Sequence, residues 1–228
     1  MNTNGEWPAA VLWDMDGTLI DTEPYWIGAE IALCAAHGVD WTHEDGLSLV
    51  GNSLPTSAQV LRDRGVPVSE EEMIGLLLDE VSSRVRGHTP WQRDARALLE
   101  RTRGRGVPTA LVTMSYAPLA DAFLESAGRF DAVVTGEEVA EGKPHPESYL
   151  TAAARLGVPI ERCLAIEDSP SGIRSAHASG AVTVAVRRLT PLDPLPGMSR
   201  VKSLDSLTDE VVVRVMAGEV VDELGDGA

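Results

Sequence analysis

Short runs, apolar but for Thr109 and Thr183, recur along the chain at residues 11–13, 109–112, 132–134, 163–166 and 182–186. Runs of this length without a helical period are how strands buried on both faces read. The segments between them carry apolar residues at helical spacing. Segment 94–103 opens on Asp94 and closes on Arg101 and Arg103, charges that suit the two ends of a helix dipole. Segments 118–127, 147–156 and 173–179 each stop at a glycine, Gly128, Gly157 and Gly180. Strands alternating with helices predict an α/β fold with a doubly wound parallel sheet. The alternation lapses between Asp21 and Pro90, where no strand-like run occurs. There Thr22-Glu23-Pro24 starts a helix with proline in its first turn, and Ile27, Ile31 and Ala35 follow as its apolar stripe up to Gly38. Ser69-Glu70-Glu71-Glu72 has the form of a capping box and opens a helix through Met73, Leu76, Leu77, Glu80 and Val81 towards Gly87. The predicted division is a core of residues 1–21 and 91–215, an all-helical insert at 22–90, and an acidic tail at 216–228. A last helix covers 211–215, and residues from 219 onward are expected to fray.

The first apolar run ends in Asp14-Met15-Asp16-Gly17-Thr18-Leu19. Side chains alternate along an extended chain, so Asp14 and Asp16 face the same way, and Gly17 lets the chain turn sharply. Open α/β sheets bind ligands at the carboxyl ends of their strands. Two adjacent carboxylates there repel unless a cation or a shared proton offsets them, which is the chemistry of a metal site with a nucleophile and an acid/base. Three later segments repeat the placing of a polar group near a run. Thr113-Met114-Ser115 follows the second run, Lys143 lies in Gly142-Lys143-Pro144-His145-Pro146, and Glu167-Asp168-Ser169 follows the fourth. Lys143 and Lys202 are the only lysines among 19 basic residues, which sharpens the signal from Lys143.

These four motifs, in this order, closely resemble those of the haloacid dehalogenase (HAD) superfamily over roughly residues 11–186. Any one of them is weak, but their joint spacing is specific. The resemblance implies a Rossmann-like core with an inserted helical cap of the C1 type, in the phosphoglucomutase-like and phosphoglycolate-phosphatase-like branch. It implies a Mg²⁺-dependent phosphatase that acts on a small phosphate monoester (a sugar, glycolate-type or nucleoside phosphate) through an aspartyl-phosphate. Asp14 is then the nucleophile and Asp16 the general acid/base. Thr113 holds phosphate oxygens and Lys143 neutralises charge on Asp14 and the phosphoryl group. Asp14, Asp16 through its backbone carbonyl, Glu167 and Asp168 form the metal site, with Asp168 the direct ligand and Glu167 acting directly or through water. Met114 and Ser115 join Thr113 at the substrate. In the cap, Gly51-Asn52-Ser53 is the candidate substrate loop, and Trp26 serves packing at the hinge or stacking on the substrate.

A phosphosugar mutase is the alternative with the same intermediate, and a non-catalytic binding protein on this fold is the alternative outside enzymes. Family mutases acting on glucose phosphates tend to carry an arginine after a cap Gly-x-Ser, where this chain has Leu54, and a hinge histidine, where it has Trp26. The branch that forms a Schiff base uses a cap lysine, and residues 22–91 contain none. An acid at position 16 favours phosphoryl transfer over dehalogenation.

Composition narrows the partners. A net charge of −16 argues against nucleic acid and anionic membrane surfaces. No apolar run approaches the ~20 residues of a membrane span. The first eight residues lack the basic and apolar regions of a secretory signal, and Cys34 and Cys163 form no disulfide framework, so a cytoplasmic protein is expected. The partner is a small phosphorylated metabolite, and the expected state is a monomer, with a homodimer as the alternative.

Overall fold

A computed structural model describes residues 6–225. In chain order its elements begin with β1 (Ala10–Trp13), α1 (Glu23–Ala36), α2 (His43–Leu47), α3 (Leu54–Asp63) and α4 (Glu70–Gly87). They continue with α5 (Arg93–Gly104), β2 (Thr109–Val112), α6 (Ala117–Ala127), β3 (Ala132–Val134) and α7 (Glu147–Leu156). The remainder is β4 (Cys163–Glu167), α8 (Pro170–Ser179), β5 (Val182–Val186), β6 (Ser199–Val201) and α9 (Asp209–Met216). The six strands form one sheet in the order β3-β2-β1-β4-β5-β6, and every pairing is parallel.

The register places the chemistry. Trp13 at the end of β1 lies opposite Leu111 of β2 and Ile166 of β4. The residues that follow these three neighbouring strands, Asp14, Thr113 and Asp168, therefore emerge side by side at the carboxyl edge. The order of connection reverses between β1 and β4, the switch point where such sheets bind ligands. β1, β2 and β4 are buried throughout, as their uniform apolar runs require. Ala10, Leu12, Val112 and Ala165 pack against Tyr149 and Ala152 of α7 and Ala176 of α8.

The described residues fold as two compact units, one of residues 6–20, 91–114 and 129–225, the other of residues 21–90 and 115–128. The helical unit thus takes in α6, which sequence order assigns to the sheet and which packs on α4. Within it, α1 buries Ile27, Ala29, Glu30 and Cys34. The expected stripe of Ile27, Ile31 and Ala35 is wrong beyond Ile27, since Ile31 is 36% exposed and Ala35 is exposed. The true stripe passes through Glu30, a polar residue that hid it. Trp41 Nε1 donates to Glu30 Oε2 at 3.2 Å. The guanidinium of Arg64 stacks over the Trp41 ring at 5.2 Å and pairs with Asp45.

The C-terminal segment also departs from expectation. β6 was not visible in the sequence because its residues, Ser-Arg-Val, alternate with a charge inside. Arg200 is buried, and its guanidinium donates to the Leu192 carbonyl (2.7 Å), Asp222 (2.7 Å) and the Gly225 carbonyl (2.9 Å). Residues 219–225 are tied down rather than frayed. Arg200 N donates to the Val221 carbonyl and Glu223 N to the Arg200 carbonyl, at 2.8 and 2.9 Å, and Leu224 is buried. Residues 226–228 of the expected tail lie outside the described residues. Among the described residues no helix is long and apolar enough to cross a membrane.

Candidate active site

β1 delivers Asp14 to the sheet edge, where Asp14 N is bonded to the Ile166 carbonyl at 3.1 Å. The chain then turns at Gly17, which has φ +88°. A side chain at Gly17 would collide with the Asp168 carboxylate, so glycine is needed for the turn and for the close approach together. Thr18 Oγ1 donates to Asp168 Oδ1 at 2.9 Å and so links the first motif to the fourth. Lys143 reaches in from the loop before α7, and its side chain is only 3% exposed. Its ammonium donates to Asp14 Oδ1 (2.7 Å), Glu167 Oε1 (2.6 Å) and the Val112 carbonyl (3.0 Å), which uses all three protons.

Glu167 is fully buried. Its Oε1 accepts from Lys143 and from the hydroxyl of Tyr149 at 3.0 Å. Its Oε2 accepts from Asp168 N (3.0 Å), Ser169 N (3.2 Å) and Ser169 Oγ (3.2 Å). Ser169 in turn caps α8, taking the amide of Gly172 at 3.0 Å. Thr113 Oγ1 donates to Asp16 Oδ2 at 3.1 Å. The Met114 thioether packs on the lysine loop and accepts from Lys143 N at 3.4 Å.

One carboxylate oxygen from each of Asp14, Glu167 and Asp168 lies within 4.8 Å of the others. Three buried carboxylates around one ammonium leave an excess of negative charge. Burial first, then the charge of Glu167, pushes Asp14 up to about 7, against the opposing pull of Lys143. Burial, Asp14 and Glu167 hold Asp168 well above the ordinary carboxylate range. Burial alone would lower Lys143, but the Asp14 and Glu167 carboxylates outweigh it and raise the ammonium above its ordinary value. Asp14 Oδ2 is buried with no hydrogen-bond partner in the protein. A buried carboxylate oxygen without a donor is costly, and a cation would remove that cost. The donors are hard oxygens, which suit Mg²⁺. Glu167 fits the ligand role least, because protein donors already occupy both its oxygens.

The structure therefore brings Asp14, Asp16, Thr113, Met114, Lys143, Glu167 and Asp168 into one unit. Trp26, Gly51, Asn52, Ser53 and Ser115 belong to the helical unit. There Trp26 is half-buried in α1, and Gly51, Asn52 and Ser53 are exposed. The Ser53 hydroxyl caps α3, accepting from Thr56 N at 3.3 Å. Sequence reading missed Tyr149 and Thr18. Tyr149 had only its place in the helix after the lysine motif as a signal, and Thr18 only its place inside the first motif.

Residues 8–180 match the haloacid dehalogenase-like hydrolase family, and the chain belongs to it. Hexitol phosphatase A of Escherichia coli (strain K12) is 32% identical over 226 residues, 92% of this chain and 96% of the relative. Hexitol phosphatase B of the same strain is 29% identical, over 78% of this chain and 82% of the relative. Among solved structures, CbbY from Rhodobacter sphaeroides in complex with phosphate superposes with a TM-score of 0.78 at 27% identity, covering 88% of this chain and 96% of that one. Several of its relatives are named as sugar phosphatases, which favours a phosphatase over a mutase.

Proposed function

We propose that the protein is a Mg²⁺-dependent phosphatase that hydrolyses small phosphorylated carbohydrates through an aspartyl-phosphate on Asp14. The observation that carries this reading is the split environment of the Asp14 carboxylate. Lys143 neutralises Oδ1, while Oδ2 is buried without a protein partner. Asp14 forms a bond to phosphorus as the ester P–O bond breaks, and Asp16 gives its proton to the departing alkoxide. Asp16 then takes a proton from water as that water attacks phosphorus, which breaks the bond to Asp14 and frees inorganic phosphate. Thr113 orients Asp16, and Lys143 offsets charge gathering on the phosphoryl group. Asp14, Asp168 and, by family resemblance, the Asp16 carbonyl would hold Mg²⁺, which supplies charge stabilisation to the phosphoryl oxygens.

The names of the relatives support sugar and sugar-alcohol phosphates as the substrate class. Gly51, Asn52, Ser53, Trp26 and Ser115 are our candidates for selecting among them. We place the protein in the cytoplasm as a monomer. Its two cysteines are buried free thiols, which suits a reducing compartment. The test is release of inorganic phosphate from a panel of hexitol phosphates and fructose 1-phosphate. Asp14→Asn should lower turnover by at least ~10³-fold, as loss of an essential nucleophile does. Excess EDTA should abolish turnover and Mg²⁺ should restore it. Undiminished turnover in the Asn variant, or in EDTA, would overturn the reading.

A further inference from the structure

The loop leaving β5 runs back to the catalytic turn. Arg188 donates from Nε to the carbonyl of Gly17 at 3.3 Å. Its two terminal nitrogens grip Asp94 at 3.1 and 2.8 Å. The pair is largely buried, with side chains 13% and 9% exposed. Asp94 sits in the first turn of α5 and also accepts from Ser203 Oγ (2.9 Å), Leu204 N (2.8 Å) and Ala95 N (2.8 Å). Two residues beyond Arg188, Thr190 Oγ1 donates to the Asp168 carbonyl at 3.3 Å. One short loop thus braces both the first and the fourth motif.

A buried ion pair rarely adds stability over apolar residues of the same size, because desolvation offsets its attraction. What this pair supplies is placement. The Gly17 carbonyl is the first backbone acceptor after Asp16. The turn is closed on one side by Gly17 N bonded to the Ile20 carbonyl at 2.8 Å. Arg188 closes the other side. A tether on the Gly17 carbonyl restrains the turn that joins Asp16, bonded to Thr113, to Thr18, bonded to Asp168.

We propose that Arg188, oriented by Asp94, is a positioning residue that fixes the Gly17 carbonyl and thereby aims Asp16 at the leaving-group oxygen. This rests on the phosphatase reading above, and it predicts a loss that depends on the leaving group. An alkyl phosphate needs a proton as it leaves, whereas a nitrophenyl phosphate leaves as a stable anion. Arg188→Gln should lower kcat/KM, which reports the steps up to the aspartyl-phosphate, by about 10²-fold for a hexitol phosphate and by no more than about fivefold for p-nitrophenyl phosphate. Arg188→Lys, which lacks the planar fork, should show the same selective loss. Asp94→Asn placed on Arg188→Gln should add little, because the two residues act as a unit.

Melting curves of each variant separate folding from positioning. If Arg188→Gln does not fold, Arg188→Lys, which keeps the charge beside Asp94, is read by the same alkyl-to-aryl ratio. Equal losses of kcat/KM on both esters, or no loss, would overturn the positioning role. Turnover of neither ester by the unaltered chain would instead sink the phosphatase reading, and this proposal with it.

Discussion

Glu30 is a buried acid with no part in the chemistry, 5% exposed in α1 and bonded to Trp41. Burial pushes its carboxyl from an ordinary 4.5 up to about 7, only partly countered by the Trp41 bond, with the charge of Glu23 adding to the rise. The folded chain therefore holds this proton between those two values while the unfolded chain has lost it. Stability from this group is full below the unfolded value and declines as pH rises through the folded one. Asp94 has the opposite sign. Burial pushes its carboxyl up, but the Arg188, Leu204 and Ser203 bonds hold it below its usual range, so its contribution is lost only in acid. Glu30→Gln should remove part of the fall in stability between pH 5 and pH 8, to which Asp14 and Asp168 also contribute, and should raise stability at pH 8 by at most about 3 kcal/mol. The same fall in melting temperature in the variant as in the wild type over this interval would rule out a neutral Glu30.

Two helices test the same substitution with opposite outcomes. At Gly172, in the first turn of α8, a methyl group would occupy the space of the Glu167 carboxylate. Gly172→Ala must displace Glu167 from the five donors that fix it, so about tenfold or more of activity should go with it. Gly75, inside α4, has open space around it. Gly75→Ala should add about 0.5–1 kcal/mol of stability in urea denaturation and leave turnover alone. Comparable effects at both positions would mean that contact with Glu167 is not what restricts Gly172. The elements differed in how legible they were for similar physical reasons. β1 to β5 announced themselves because both faces are buried, and the motif residues because they sit at strand ends. β6 and the true face of α1 were masked by Arg200 and Glu30, polar residues whose burial depends on partners distant in sequence or hidden in the helical unit. Tyr149, Asp94 and Arg188 act through contacts spanning 18 and 94 positions, which no local pattern encodes.

For the molecule as a whole, a charge of −16 repels an anionic substrate at long range, so attraction must be local and screening by salt should favour encounter. The rarity and burial of lysine have a separate, practical consequence. Lys202 is an exposed side-chain amine, whereas Lys143 is enclosed and held protonated by two carboxylates. An amine-acylating reagent at pH 8 should therefore tag Lys202 within minutes and reach Lys143 only when the site opens. Peptide mass spectrometry at Lys143 then becomes a clock for local opening at the catalytic edge. Mg²⁺ with phosphate should slow that clock, because ligands that bind the closed form suppress opening. Acylation of Lys143 as fast as that of Lys202 would show that the ammonium is not enclosed in solution.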